Sequence, residues 1–251
     1  MKEVLYTIPL NDAYAAETEC PFCFIENNIE QDLLDYVLGS CASYMEADTR
    51  AMTDKEGFCR THLKKMYAYG NTLGNGWILK THYMRVNREL HEQIKKYSPV
   101  KISLKDKLTG KDKLTGKAKM NNSVAAWIKS NEESCYICKR YDEMYDRYLA
   151  TFFHLYKNDS QFSDKISKSK GFCLCHLKDV LERAETELSP AMKEEFFPMI
   201  FRVTEENMDR MQEDINWLIE KFDYRNKDAD WKNSKDAVSR GMQNLKGGIY
   251  G

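Results

Sequence analysis

Glycine and proline are scarce, with twelve and five among 251 residues, about half their usual combined share. A chain so poor in turn-makers and helix breakers favours long helices over short strands joined by tight turns. No apolar run approaches the ~18 residues of a membrane-spanning helix, so no membrane association is expected. Neither sign of charge is in excess. Lys plus Arg is 38, Asp plus Glu is 39, and the net charge is −1. A chain-wide polyanion-binding surface needs excess basic charge, so nucleic acid is not an expected partner. The opening segment MKEVLYTIPLNDAY lacks the apolar core and cleavage site of a secretory leader, and a cytoplasmic location is expected. No glycine-rich phosphate loop, nucleophile elbow or paired-carboxylate motif stands out, so no enzymatic activity is expected.

Cysteine carries the information that is present. The eight are Cys20, Cys23, Cys41, Cys59, Cys135, Cys138, Cys173 and Cys175. In a reducing compartment disulfides are rare, and clustered cysteines more often hold metal. Chance would place roughly 0.25 C-x-x-C pairs in such a chain, and there are two. Both belong to an internal repeat. Cys20-Pro21-Phe22-Cys23 recurs as Cys135-Tyr136-Ile137-Cys138. The segment from Gly57 to Lys64 (GFCRTHLK) recurs as Gly171 to Lys178 (GFCLCHLK). Each copy of C-x-x-C … G-F-C-x-x-H-L offers three thiols and one imidazole, a standard closed tetrahedral zinc shell. Read in chain order, the candidate ligands are Cys20, Cys23, Cys59 and His62 for one zinc ion, and Cys135, Cys138, Cys173 and His176 for a second. Cys59 and His62, like Cys173 and His176, are three apart and share a face on a helical turn. Cys175 aligns with Thr61 and should point to a different side; the competing set for the second ion is Cys135, Cys138, Cys173 and Cys175, with His176 outside it. Cys41 falls on a helix face and reads as packing.

Periodicity supports an all-α fold of two similar helical hairpins packed as a bundle. Phe24–Leu38 and Cys41–Thr53 read as one antiparallel pair, which would carry Cys59 back beside Cys20 and Cys23. Lys139–Tyr156 and Gln161–Ser169 read as the other, with Asn158-Asp159-Ser160 as a turn and cap signal between them. Longer helices are predicted over Trp77–Tyr97 and Met199–Phe222. Ser189-Pro190 is a helix start, and Pro198 should kink or break the segment before Met199. His82, His91 and His154 read as surface or hydrogen-bonded core residues. The expected organisation is a first unit over 1–98, a linker over 99–120, a second unit over 121–225 and a docked tail over 226–251. The linker repeats KDKLTG and holds seven Lys against two Asp. Without aromatics for base stacking it reads as a solvated connector rather than a nucleic-acid arm. Trp231, Val238, Met242 and Leu245 follow helical spacing in the tail.

The doubled C-x-x-C and G-F-C-x-x-H-L motifs, together with the tail from Trp231 to Ala237 (WKNSKDA), resemble an uncharacterised family of bacterial cytosolic proteins known as a domain of unknown function. The resemblance covers nearly the whole chain. It implies a helical fold with metal-type cysteine clusters and no particular activity. Cys20-Pro21-Phe22-Cys23 also resembles the redox dithiol of glutaredoxin-like proteins, but that motif wants a strand before it, where here the segment Ala13 to Thr18 precedes. The reading that follows is a non-enzymatic protein with two structural zinc ions, acting on another protein as an interaction or regulatory module. The alternatives are a thiol-based redox sensor or enzyme, or an iron–sulfur protein.

Overall fold

The structure is a computed structural model, and it describes residues 4–98 and 122–248. Every regular element among the described residues is helical, as the shortage of breakers requires. In chain order they are α1 (Val4–Ala15), α2 (Pro21–Leu38), α3 (Ala47–Glu56), α4 (Arg60–Ala68), α5 (Thr72–Lys96), α6 (Ser123–Glu132), α7 (Tyr136–Asn158), α8 (Ser160–Lys168), α9 (Leu174–Glu187), α10 (Pro190–Glu220) and α11 (Ala237–Lys246). Short 3-10 turns lie at Ser43–Met45 and Tyr224–Asn226. No helix is long and apolar enough to cross a membrane, among the described residues.

Start signals in the sequence do what their chemistry implies. Asp159 caps α8 by accepting from the N–H groups of Gln161 and Phe162. Ser189 caps α10 by accepting from Met192 N–H, with Pro190 in the first turn where no N–H is needed. Pro198 does not break α10, which runs on through it. Phe196 and Ile200 flank it and are both buried. Their packing offsets the lost hydrogen bond and ring clash of an interior proline, which cost ~3 kcal/mol in an exposed helix.

Compactness divides the chain across its order in sequence. One unit comprises Met1–Gln31 and Tyr141–Gly251, the other Asp32–Arg140. This grouping by compactness differs from the sequential division at 98, 120 and 225, and the Lys-rich 99–120 linker lies wholly outside the described residues. The helices of each expected hairpin also differ in length. At 1.5 Å per residue α2 extends ~27 Å, while α3 returns only ~15 Å. Likewise α7 extends ~34 Å and α8 returns ~13 Å. Each expected return helix is thus well short of its partner in length.

The discontinuous unit has an aromatic core. Phe22, Phe152, Phe153, Phe162 and Phe196 are all fully buried. Phe22, from inside the first C-x-x-C, meets Tyr145, Phe152 and Phe172 at centroid distances of 5.7 Å each. The tail docks in this unit, with α11 packing on α10 and α9. It does so through Ala237, Gly241 and Asn244, while Val238, Met242 and Leu245 face outward, about half exposed. The apolar stripe that follows helical spacing is thus not the face that docks. The small residues permit close approach, and Arg240 fastens the helix to Asp214 and to buried Glu19.

The continuous unit is built on α5, against which α3, α4 and α6 pack. Its core includes Leu33, Leu34, Val37, Tyr44, Met66 and Ile78. Asn71 caps α5 through Gly74 N–H and donates to the carbonyl of Leu38. His82 Nδ1 donates to the carbonyl of Asp54 at 2.9 Å, the hydrogen-bonded core role expected of it. Cys41 is exposed in the turn after α2 rather than packed on a helix.

Candidate metal centres

All four cysteine motifs stand at helix N-termini. Cys20 immediately precedes α2, Cys59 precedes α4, Cys135 precedes α7 and Cys173 precedes α9. The placement has an electrostatic cause, because unpaired N–H groups and the positive end of the helix dipole stabilise thiolates. Cys173 Sγ accepts from His176 N–H at 3.5 Å, as a capping serine would. Cys135 Sγ accepts from Cys138 N–H at 3.5 Å.

The glycine of each G-F-C motif sets the approach. Gly57 and Gly171 have φ of +63° and +78°, a left-handed backbone that L side chains rarely adopt. A Cβ at Gly57 would also fall 2.7 Å from the His82 ring.

The eight repeated ligand candidates come together in two groups of four, but the pairing is crossed. Cys20 and Cys23 meet Cys173 and His176, while Cys135 and Cys138 meet Cys59 and His62. Each C-x-x-C thus finds the C-x-x-H of the other repeat, which corrects the chain-order sets. Each group lies wholly within one compact unit. Cys175 is exposed and belongs to neither.

Both groups share one geometry. His176 Nδ1 faces Cys20, Cys23 and Cys173 at 3.4, 3.5 and 3.2 Å. His62 Nδ1 faces Cys59, Cys135 and Cys138 at 3.2, 3.3 and 3.4 Å. The sulfurs of Cys23 and Cys173 are 3.7 Å apart, and those of Cys59 and Cys138 are 3.8 Å apart. A tetrahedron with metal–sulfur bonds of about 2.3 Å has edges of about 3.8 Å. These clusters could therefore each hold one metal ion.

The charges respond to this crowding. In the first group, burial works against an imidazolium, yet hydrogen bonds to Cys173 and Cys23 raise His176 to about 10. Burial and the neighbouring thiols Cys173 and Cys23 push Cys20 up. In the second, burial opposes ionisation of Cys135, yet His62 and the N–H groups of Cys138 and Cys59 bring it down to about 6. Burial, together with Cys135 and Cys59, pushes Cys138 up to about 12.

Three contributors carried no signal in the motif. Glu26 Oε2 lies 3.6 Å from His176 Nε2, and Tyr141 donates to Glu26 Oε1 at 2.6 Å. A carboxylate behind a ligating histidine fixes its tautomer and orientation. Glu26 is one helical turn beyond Cys23, so i+3 spacing from the ligand was the available clue. Gly247, at φ +74°, ends α11 directly over the first group. A Cβ there would lie 3.5 Å from Cys173 Sγ and 3.9 Å from Cys23 Sγ.

Fold and site together define an all-α protein with two buried or part-buried Cys₃His clusters. The chain belongs to a family of unknown function, DUF6062, whose model matches residues 1–251. No curated protein and no solved structure is significantly similar to it.

Proposed function

We propose that the protein is a non-enzymatic zinc protein that holds two structural ions and presents its helical surfaces to another protein as an interaction or regulatory module of the cytoplasm. The observation that carries this reading is the closure of both donor sets, each with three thiols and an imidazole nitrogen within 4.8 Å of one another. Four protein ligands leave no position for the water or substrate that a catalytic zinc needs. Thiolate and imidazole together suit zinc, and a site of this size takes one ion. A polynuclear iron–sulfur cluster would spread its ligand sulfurs around several metal atoms and usually takes four thiolates. Cys20, Cys23, Cys173 and His176 would hold one ion, and Cys59, His62, Cys135 and Cys138 the other. Bound zinc supplies cross-linking of helix ends that are distant in sequence.

Elemental analysis of protein purified without added metal tests this. The expected result is two zinc ions per chain and colourless protein. A ratio clearly below one, with all eight thiols open to alkylation, contradicts it.

A further inference from the structure

The two clusters share ligand types and geometry but differ in their surroundings. In the first, Cys20, Cys23 and Cys173 are 0, 1 and 0% exposed. The backbone of Gly247 lies over two of these sulfurs, and only the imidazole, with Glu26 behind it, borders the adjacent cavity of about 640 Å³. In the second, His62 and Cys135 are buried but Cys59 and Cys138 are both part-exposed. Cys59 lines an open groove of about 940 Å³ whose other walls include Phe58, Arg60, Tyr67, His82 and Ile128. The sulfurs of these two part-exposed residues are also the pair 3.8 Å apart. A small solute can therefore reach a thiolate in the second cluster, whereas the sulfurs of the first are sealed.

We infer that the second cluster is a peroxide-responsive, releasable metal centre, and that the first is the permanent one. The inference rests on the zinc reading above. The Cys59 thiolate attacks one oxygen of a peroxide, the O–O bond breaks, and a sulfenic acid and hydroxide result. The Cys138 thiolate then attacks the Cys59 sulfur, forming the S–S bond and expelling a second hydroxide. Both hydroxides leave as water after taking up two protons. Two electrons pass from the two thiolates to one peroxide. Cys135 and His62 alone no longer complete a shell, so the ion is lost.

The test uses the full-length zinc-loaded chain with Cys41→Ser and Cys175→Ser, which removes the two exposed thiols that are not ligands. Zinc is first counted, hydrogen peroxide is added, released zinc is followed with a chromogenic chelator, and disulfides are mapped by mass spectrometry. The expected result is one zinc per chain released at least about tenfold faster than the other, with a Cys59–Cys138 disulfide. Release of both ions at one rate, first release from the Cys20–Cys173 cluster, or no release at all would overturn the inference. A chain already metal-free at the first count instead refutes the zinc reading. In that chain the inference still requires peroxide to join Cys59 to Cys138 before it touches Cys20, Cys23 or Cys173, and the opposite order overturns it.

Discussion

Two positions separate Cys173 from Cys175, and the difference decides their chemistry. Cys173 caps α9 with its sulfur turned into the first cluster, while Cys175 is exposed. Cys175→Ser is expected to keep both zinc ions, and Cys173→Ser to lose the one shared with Cys20 and Cys23. Elemental analysis of the two variants checks this, and loss of zinc from Cys175→Ser would place that thiol in the shell. Glu26→Gln removes the charge behind His176 without changing its size. Zinc affinity of the first cluster should fall about tenfold or more, with the second unchanged. Competition with a chelator of known affinity measures both. Protons compete with the metal at these same groups. In the ion-free protein His176 and Cys138, at about 10 and about 12, carry protons near neutrality that a metal-bound ligand must give up. Acid therefore favours the ion-free form, and zinc affinity should rise between about pH 6 and 8. An affinity that is flat or falling over that range would show that proton release is not coupled to binding.

At the scale of elements, much was legible. The scarcity of glycine and proline, the apolar periodicity of α2 and α7, and the caps at Asp159 and Ser189 all read directly. So did the eight cysteine and histidine positions that come together, because a duplicated motif is hard to mistake. Their pairing did not read. Two C-x-x-C and two C-x-x-H half-sites combine equally well in chain order or crossed, and ligand spacing does not choose. The choice is made by tertiary packing, which puts each crossed set within one compact unit and which ligand spacing does not encode. The tail failed for another reason. Val238, Met242 and Leu245 marked the apolar stripe, but Ala237 and Gly241 allow the closer approach, and Arg240 pairs with Asp214 and Glu19. Gly247 was unreadable because its constraint is a positive φ against two sulfurs rather than a side-chain property. Gly247→Val is expected to strain this cap and speed zinc loss from the first cluster, measured as chelator-driven release from the two sites.

For the whole molecule, crossing means that neither half of the sequence owns a complete shell. The segment 1–98 contains Cys20, Cys23, Cys59 and His62, yet these belong to two different clusters. Expressed alone it should fail to hold a stoichiometric structural zinc, whereas a chain-order arrangement would let it hold one. An ion held in the first cluster would also close a long loop, since Cys23 is 150 positions from Cys173 and 153 from His176. Such a site scarcely exists in the unfolded chain, so the free energy of metal binding becomes free energy of folding. Removing both ions with a strong chelator should lower the melting temperature and loosen both units, and calorimetry of demonstrably metal-free protein measures it.

The crossed pairing itself is tested most directly by counting zinc in the double variant Cys20→Ser/Cys173→Ser. In the crossed arrangement both substitutions fall in one shell. The cluster of Cys59, His62, Cys135 and Cys138 stays whole, and one zinc per chain remains. In a chain-order arrangement the same pair damages both shells. A variant that folds but retains no zinc would contradict the account.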